Sequence, residues 1–301
     1  MDRAKVILSA VVLALVVMVT ADDDPSSRII GGSPAISGQF PAQVAIQVGG
    51  TVFCGGSVLN QNHILTAASC ILDANNNLVQ AAQVTVRAGE VVFQPTQLAL
   101  AVQRIFAHPQ YNPWTLENDI AVLRLQNNIS FPAVATPAVA PAELNHRIVA
   151  DASACEVVGW NWTPAVPSVA LQVLTVTIAP RAACNAVHNG MLQATMLCTQ
   201  YLQTTQGVCA PARGGGLYCN DLLTGVVSFG FGCGQNTTNT VYTQARYYEL
   251  WIQQQFNRTD TPVAGPTPAP GVPGGPGKAS ALSLSVAVVL VALVSAALVH
   301  Q

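Results

Sequence analysis

The groups able to do chemistry are few and scattered. Eight Cys lie between Cys54 and Cys233, and four of the five His (His63, His108, His146 and His188) fall in the same stretch. A hydroxyl or thiol nucleophile needs a base to take its proton and a carboxylate to orient that base. A zinc site needs Cys and His at close spacing. The chain has no Cys-x-x-Cys pair and no His near its Cys at metal spacing, so neither a metal nor another cofactor is expected. The even Cys count points instead to disulfides made in an oxidising compartment. Four Asn-x-Ser/Thr sequons, at Asn128, Asn161, Asn236 and Asn257, are candidate glycosylation sites, each a surface position if used.

The elements that must position these groups belong to a chain of 301 residues, 50% apolar, 9% charged, with a formal net charge of −2. That length and aliphatic content build one large or two small cores and exclude a disordered chain. Residues 29–277 hold no Lys and eight Arg. A polyanion binder needs a dense basic footprint, so nucleic acid and heparin are not expected partners.

Both ends read as processing signals. Arg3 and Lys5 precede the apolar run Val6 to Val19, and Val19-Thr20-Ala21 supplies small residues ahead of a cut. Residues 1–21 therefore read as a secretory signal peptide, an N-terminal anchor being the alternative that this short run fits less well. Residues 278–301 carry an apolar tail from Leu282 to Val299 with no Lys or Arg after it, preceded by the small residues Gly277, Ala279 and Ser280. This is the pattern of a glycosylphosphatidylinositol (GPI) anchor signal, which places the protein on the extracellular face of the plasma membrane through a lipid. A single C-terminal transmembrane span is the alternative. Residues 260–277, with six Pro and five Gly, read as an extended stalk.

Between these ends, short apolar runs recur at Gln43 to Gln47, Val84 to Ala88, Asp119 to Leu125, Leu171 to Ile178 and Leu223 to Phe229. Turn formers such as Asn75-Asn76-Asn77 lie between them, which predicts an all-β sandwich or barrels. The only helix expected covers Tyr247 to Phe256, with Leu250, Trp251 and Phe256 on its apolar face.

An ordered set of strings carries a more specific signal. Arg28-Ile29-Ile30-Gly31-Gly32 follows an acidic segment, residues 22–28, that reads as a propeptide. Then come Cys54-Gly55-Gly56-Ser57, Leu65-Thr66-Ala67-Ala68-Ser69-Cys70, Asn118-Asp119-Ile120-Ala121, Val158-Gly159-Trp160, the run Cys209 to Cys219, Val227-Ser228-Phe229-Gly230, Val241-Tyr242-Thr243 and Trp251-Ile252. In order and spacing, residues 29–259 resemble the trypsin and chymotrypsin family. The resemblance implies two perpendicular six-stranded antiparallel β-barrels, a C-terminal helix, and a cleft between the barrels. It also implies cleavage between Arg28 and Ile29, and the disulfides Cys54–Cys70, Cys155–Cys219, Cys184–Cys198 and Cys209–Cys233.

Carried over residue by residue, the resemblance implies a degenerate, azurocidin-like site. Ser69 stands at the position of the family's catalytic His, and a hydroxyl cannot serve as that base at neutral pH. The orienting Asp is retained as Asp119, although a buried carboxylate also persists for purely structural reasons, bonded to neighbours such as Ser69 and Ser228. Arg213 stands at the position of the nucleophilic Ser. Pro211 stands where a backbone N–H would face the oxyanion, and Pro has none. Loss of one such donor costs about 10²–10³-fold in rate, and loss of the nucleophile or base about 10⁶-fold.

Other positions depart as well. Ala212 replaces the Asp that would receive the new N-terminus, Gly207 replaces the specificity Asp, and Thr240 replaces a small Gly of the pocket. His63 is expected in core or edge packing and His108 in a surface turn, whereas His146 and His188 sit in no motif. Arg213 is expected to face water or pair with a local carboxylate; holding an anionic group is the alternative. The resulting expectation is a catalytically inactive serine protease homologue at the cell surface, acting by binding a protein partner as decoy, protease cofactor or immune or adhesion element. A serine-type endopeptidase with a rearranged site and a structural surface glycoprotein are the alternatives.

Overall fold

The structure, a computed structural model, describes residues 29–30, 32–89, 91–92, 98–131, 139–160, 170–200, 207–208, 212–230 and 239–258. All of them belong to one compact unit. Two short strands come first, β1 (Ile29–Ile30) and β2 (Ser33–Pro34). The next six are β3 (Gln43–Val48), β4 (Thr51–Asn60), β5 (His63–Thr66), β6 (Val84–Ala88), β7 (Leu98–Ala107) and β8 (Ala121–Leu125). They close into an antiparallel barrel in the order β3-β4-β5-β8-β7-β6. The remaining strands are β9 (Ala154–Trp160), β10 (Leu171–Thr177), β11 (Met196–Cys198), β12 (Gly207–Val208), β13 (Gly216–Cys219), β14 (Leu222–Phe229) and β15 (Val241–Gln244). Seven strands form a second sheet in the order β11-β15-β14-β13-β9-β10-β2, and β1 pairs with β12 apart from it.

The fold class is mostly β with a C-terminal helix, of the chymotrypsin-like kind. Beside the closed six-stranded barrel, the described residues of the second half form a seven-stranded sheet. Its end strands, β11 and β2, are three and two residues long and pair with no common neighbour.

Local chemistry explains the elements. In β6, Val84, Val86 and Ala88 are buried while Thr85 and Arg87 are only partly so, the alternation of a strand with one face on the core. The β3–β4 hairpin turns on Gly49-Gly50 at φ 59° and 84°. The β13–β14 hairpin turns on Asn220-Asp221 at φ 52° and 62°. A two-residue turn with both φ positive matches the right-handed strand twist, and Gly, Asn and Asp reach it at least cost.

The helices depart from expectation. A second helix, α1 (Arg181–Val187), is present where none was expected. It is one turn or two long and buries only Cys184, so no apolar period marks it. The C-terminal helix, α2 (Glu249–Phe256), continues a 3-10 turn, Ala245–Tyr248. Its buried residues are Ile252 and Gln255, following Tyr248 on one face, while Leu250 is 76% exposed. The expected apolar face was therefore misplaced at Leu250, although Trp251 and Phe256 pack against the core.

Disulfides join Cys54 to Cys70, Cys155 to Cys219 and Cys184 to Cys198. Cys209 and Cys233 lie outside the described residues, as do the signal segment, the propeptide, the stalk and the tail. Among the described residues no helix is long and apolar enough to cross a membrane.

Candidate functional site

Asp119 lies two residues before β8, at the barrel's end, and is fully buried. Ser69 sits in a 3-10 turn, Ala68–Ile71, whose position is fixed by the Cys54–Cys70 bridge to β4. The Ser69 amide donates to Asp119 Oδ1 at 2.7 Å, and its hydroxyl donates to Oδ2 at 2.9 Å. From the other sheet, the hydroxyl of Ser228 on β14 donates to the same Oδ2 at 2.6 Å. Thr243 on β15 donates to the Asp119 backbone carbonyl at 2.9 Å. The carboxylate is thus a joint between the barrel and the sheet.

Burial raises the Asp119 pKa from the ordinary carboxylate value, and the Ser228 and Ser69 donors and the Arg213 charge oppose that rise. Tyr111, only 4% exposed, borders the same group. Its phenol is pushed up by burial first and by the Asp119 charge second, while Arg213 and the Ser69 hydroxyl pull it down. No reading of the sequence singled out Tyr111; a Tyr just after Ala107-His108-Pro109 was the only signal. It is carried by a loop whose turns are fixed by Tyr111 N–H to His108 O at 2.9 Å and Asn112 N–H to Glu117 O at 3.0 Å.

Arg213 is half-buried on the segment leading into β13. Its Nε is shut off from solvent and has no hydrogen-bond partner among the described residues. Its charge acts on Asp119 and Tyr111, and among the described residues no ion pair joins it to a carboxylate. The backbone here is tightly held: Gly55 N–H donates to Arg213 O and Gly214 N–H to Val227 O, both at 2.8 Å. Gly214 has φ 78°, and a Cβ there would run into Thr66 and the Gly55 carbonyl. Only Gly fits.

Ala212 is 1% exposed and lies in an apolar cluster with Val157, Leu217, Val227 and Tyr242. Ala212 itself offers no carboxylate to a buried ammonium. Gly207 pairs with Ile30 in the β1–β12 ladder, and Ile29 with Val208. Thr240 is buried. Pro211 and Arg28 lie outside the described residues.

The histidines are dispersed. His63 is 2% exposed on β5, with Nδ1 2.9 Å from Asn60 Oδ1 and its ring 4.8 Å from that of Phe256. Burial, aided by the Arg124 charge, lowers its pKa from 6.5 to about 4. His108, expected in a surface turn, is instead packed under the C-terminal helix, its ring 5.2 Å from Tyr248 and 5.0 Å from Trp251. His188 is buried edge-on to Phe229, and exposed His146 pairs with Glu249 at 2.8 Å.

No group of three or more His, Cys, Asp or Glu among the described residues could hold a metal ion. Two sequon asparagines are described, Asn128 and Asn257, and both are exposed; Asn161 and Asn236 lie outside the described residues.

The family model described as Trypsin matches residues 29–252. Trypsin of Sus scrofa is 32% identical over 242 residues, which cover 78% of this chain and 97% of that protein. Trypsin of Xenopus laevis is 32% identical over 239 residues, 77% of this chain and 91% of that protein. Serine protease 56 of Homo sapiens is 32% identical over 244 residues, 78% of this chain but 40% of that protein. With the barrel, the second sheet and the C-terminal helix in place, the chain belongs to the trypsin family of serine protease domains.

Proposed function

We propose that this protein is a catalytically inactive serine protease homologue that works by binding another protein. The observation that carries the reading is the surroundings of Asp119. Its carboxylate accepts from the Ser69 amide, the Ser69 hydroxyl and the Ser228 hydroxyl, and none of these donors is an imidazole. A hydroxyl held by a carboxylate has no strong base to activate it. Across the site stands the Arg213 side chain, which carries no nucleophile. Ala212, in its apolar cluster, further supports the reading, since the family's activating ion pair has no acceptor there.

A disulfide-bonded trypsin-family domain is consistent with the secretory pathway. The finer proposal is that the signal peptide directs the chain there, the stalk of residues 260–277 lifts the domain from the membrane, and the tail of residues 278–301 is exchanged for a lipid anchor. Release from cells by phosphatidylinositol-specific phospholipase C tests the anchor, and retention after treatment favours a transmembrane span instead.

A competing reading, a hydrolase with a rearranged site, draws on one observation, the Ser69–Asp119 hydroxyl–carboxylate pair. One experiment separates the two. The purified protein, before and after tryptic cleavage at Arg28, is treated with a serine-directed fluorophosphonate probe beside a variant carrying Ser69→His, Pro211→Gly, Ala212→Asp and Arg213→Ser. Silence of the natural protein with labelling of the variant is the expected result. Labelling of the natural protein that disappears in Ser69→Ala would establish the rearranged hydrolase.

A further inference from the structure

Away from the Asp119 site, three segments enclose a cavity of about 340 Å³. One wall is the turn leading into β3, with Phe40 and Pro41; another is the segment with Pro141 and Glu143; the third is the β13–β14 hairpin with Tyr218 and Asp221. The walls are fixed to one another by backbone bonds. Ala140 N–H donates to Pro41 O at 3.2 Å, Ala142 N–H to Val58 O at 2.8 Å and Leu223 N–H to Glu143 O at 2.8 Å. The opening is therefore preformed, which lowers the ordering cost of a ligand.

Its chemistry has one sign. The rings of Phe40 and Tyr218 stand 5.5 Å apart at a 47° tilt; half-buried Phe40 offers the aromatic face, backed by buried Tyr218. The Tyr218 hydroxyl is taken up by Ser57 Oγ at 3.1 Å, and burial pushes the phenol up to about 12, so the ring stays neutral. Glu143 and Asp221 are exposed carboxylates, and among the described residues neither has an ion-pair partner. An aromatic face and unpaired carboxylates around one cavity are complementary to a cation carried on an apolar stem.

We propose that this cavity receives an arginine side chain presented by a protein partner, the planar guanidinium lying against the Phe40 ring and donating to Glu143 and Asp221. Arginine is favoured over lysine because its planar group stacks on an aromatic ring and bonds two carboxylates at once. The site stands apart from the Asp119 cleft and holds whether or not that cleft is catalytically silent, since probe labelling and peptide binding are read separately.

The test is calorimetric titration of the full chain with acetyl-Leu-Arg-Leu-amide and, in parallel, acetyl-Leu-Gln-Leu-amide. Saturable binding of the Arg peptide is expected, at least about tenfold weaker for the Gln peptide and for the Glu143→Gln/Asp221→Asn variant. Both substituted carboxylates are exposed, so the variant keeps its fold, checked by circular dichroism. Phe40→Leu retains bulk but loses the aromatic face, and is expected to weaken binding several-fold. Equal binding of both peptides, binding unchanged in the double variant, or no saturable heat would overturn the proposal. So would self-association abolished by the double variant, which would make the occupant a second copy of this chain.

Discussion

Ser69 gives both its amide and its hydroxyl to Asp119, at 2.7 and 2.9 Å, so one residue of the 3-10 turn occupies both carboxylate oxygens. The Ser228 hydroxyl adds a third bond at 2.6 Å from β14. A fully buried carboxylate is tolerated because these donors replace its water. The arrangement ties the end of the barrel to the second sheet, and its worth is measurable as stability.

Asp119→Ala leaves an amide and two hydroxyls facing an empty space. The expected loss is about 3 kcal/mol, from unsatisfied buried donors at ~1–3 kcal/mol each with partial relaxation. Ser69→Ala keeps the amide bond and the Ser228 bond, and is expected to cost about 1 kcal/mol. Urea unfolding of both variants checks the ranking; equal effects would mean that the hydroxyl, not the carboxylate, organises the site.

Stability should fall in acid through the buried imidazoles. His63 is lowered from 6.5 to about 4 by burial first and by Arg124 second, and His108 and His188 are lowered by burial too. A depressed His pKa means that the folded state binds fewer protons than the unfolded chain between the two values. The contribution of His63 is therefore complete above pH 6.5 and is lost as pH falls through about 4, by about 3 kcal/mol. Urea midpoints measured from pH 7.5 to 4 follow this loss. His63→Gln flattens part of the slope, and an unchanged slope would assign it to other groups.

The Cys155–Cys219 bridge connects β9 and β13, strands that pair in the sheet carrying Ser228. Replacing both Cys by Ala is expected to cost about 2–5 kcal/mol. The thermal midpoint of the variant, measured beside that of the natural chain under non-reducing conditions, checks this.

Trp114 is 83% exposed at the tip of a loop whose turn is made rigid by Asn112, which accepts from the Trp114 amide at 2.9 Å and the Thr115 amide at 3.3 Å. Buried Trp160, in contrast, donates to the Val91 carbonyl. Iodide should quench a fluorescence component that Trp114→Phe removes. The same substitution is expected to leave stability within about 0.5 kcal/mol, as for other surface changes.

Much of the scaffold was legible wherever local pattern and tertiary environment agree. The Val84 to Ala88 run is a strand with the expected bounds because its alternation places every second residue on the barrel core. The Asp119 to Leu125 run begins as a strand only at Ala121, because the two preceding residues are drawn into the loop; Ile120 N–H bonds Asn118 O instead of a ladder partner. Leu250 was misread because its type marks it as apolar while the helix turns Tyr248, Ile252 and Gln255 toward the core. No local pattern records which way a short helix rolls.

By itself the sequence determined the order of the family's strings, the Cys that can pair and the side chains available to the site, because those depend on residue type and spacing alone. Only the tertiary structure decided what surrounds them. His108 is buried beneath Tyr248 and Trp251, some 140 residues further along the chain. Arg213 Nε is enclosed without a hydrogen-bond partner among the described residues. Asp119 meets Ser69 and Ser228 in one cluster although they lie 50 and 109 residues from it. Burial and hydrogen bonding depend on packing between distant segments, and that packing follows from the closing of the barrel against the second sheet.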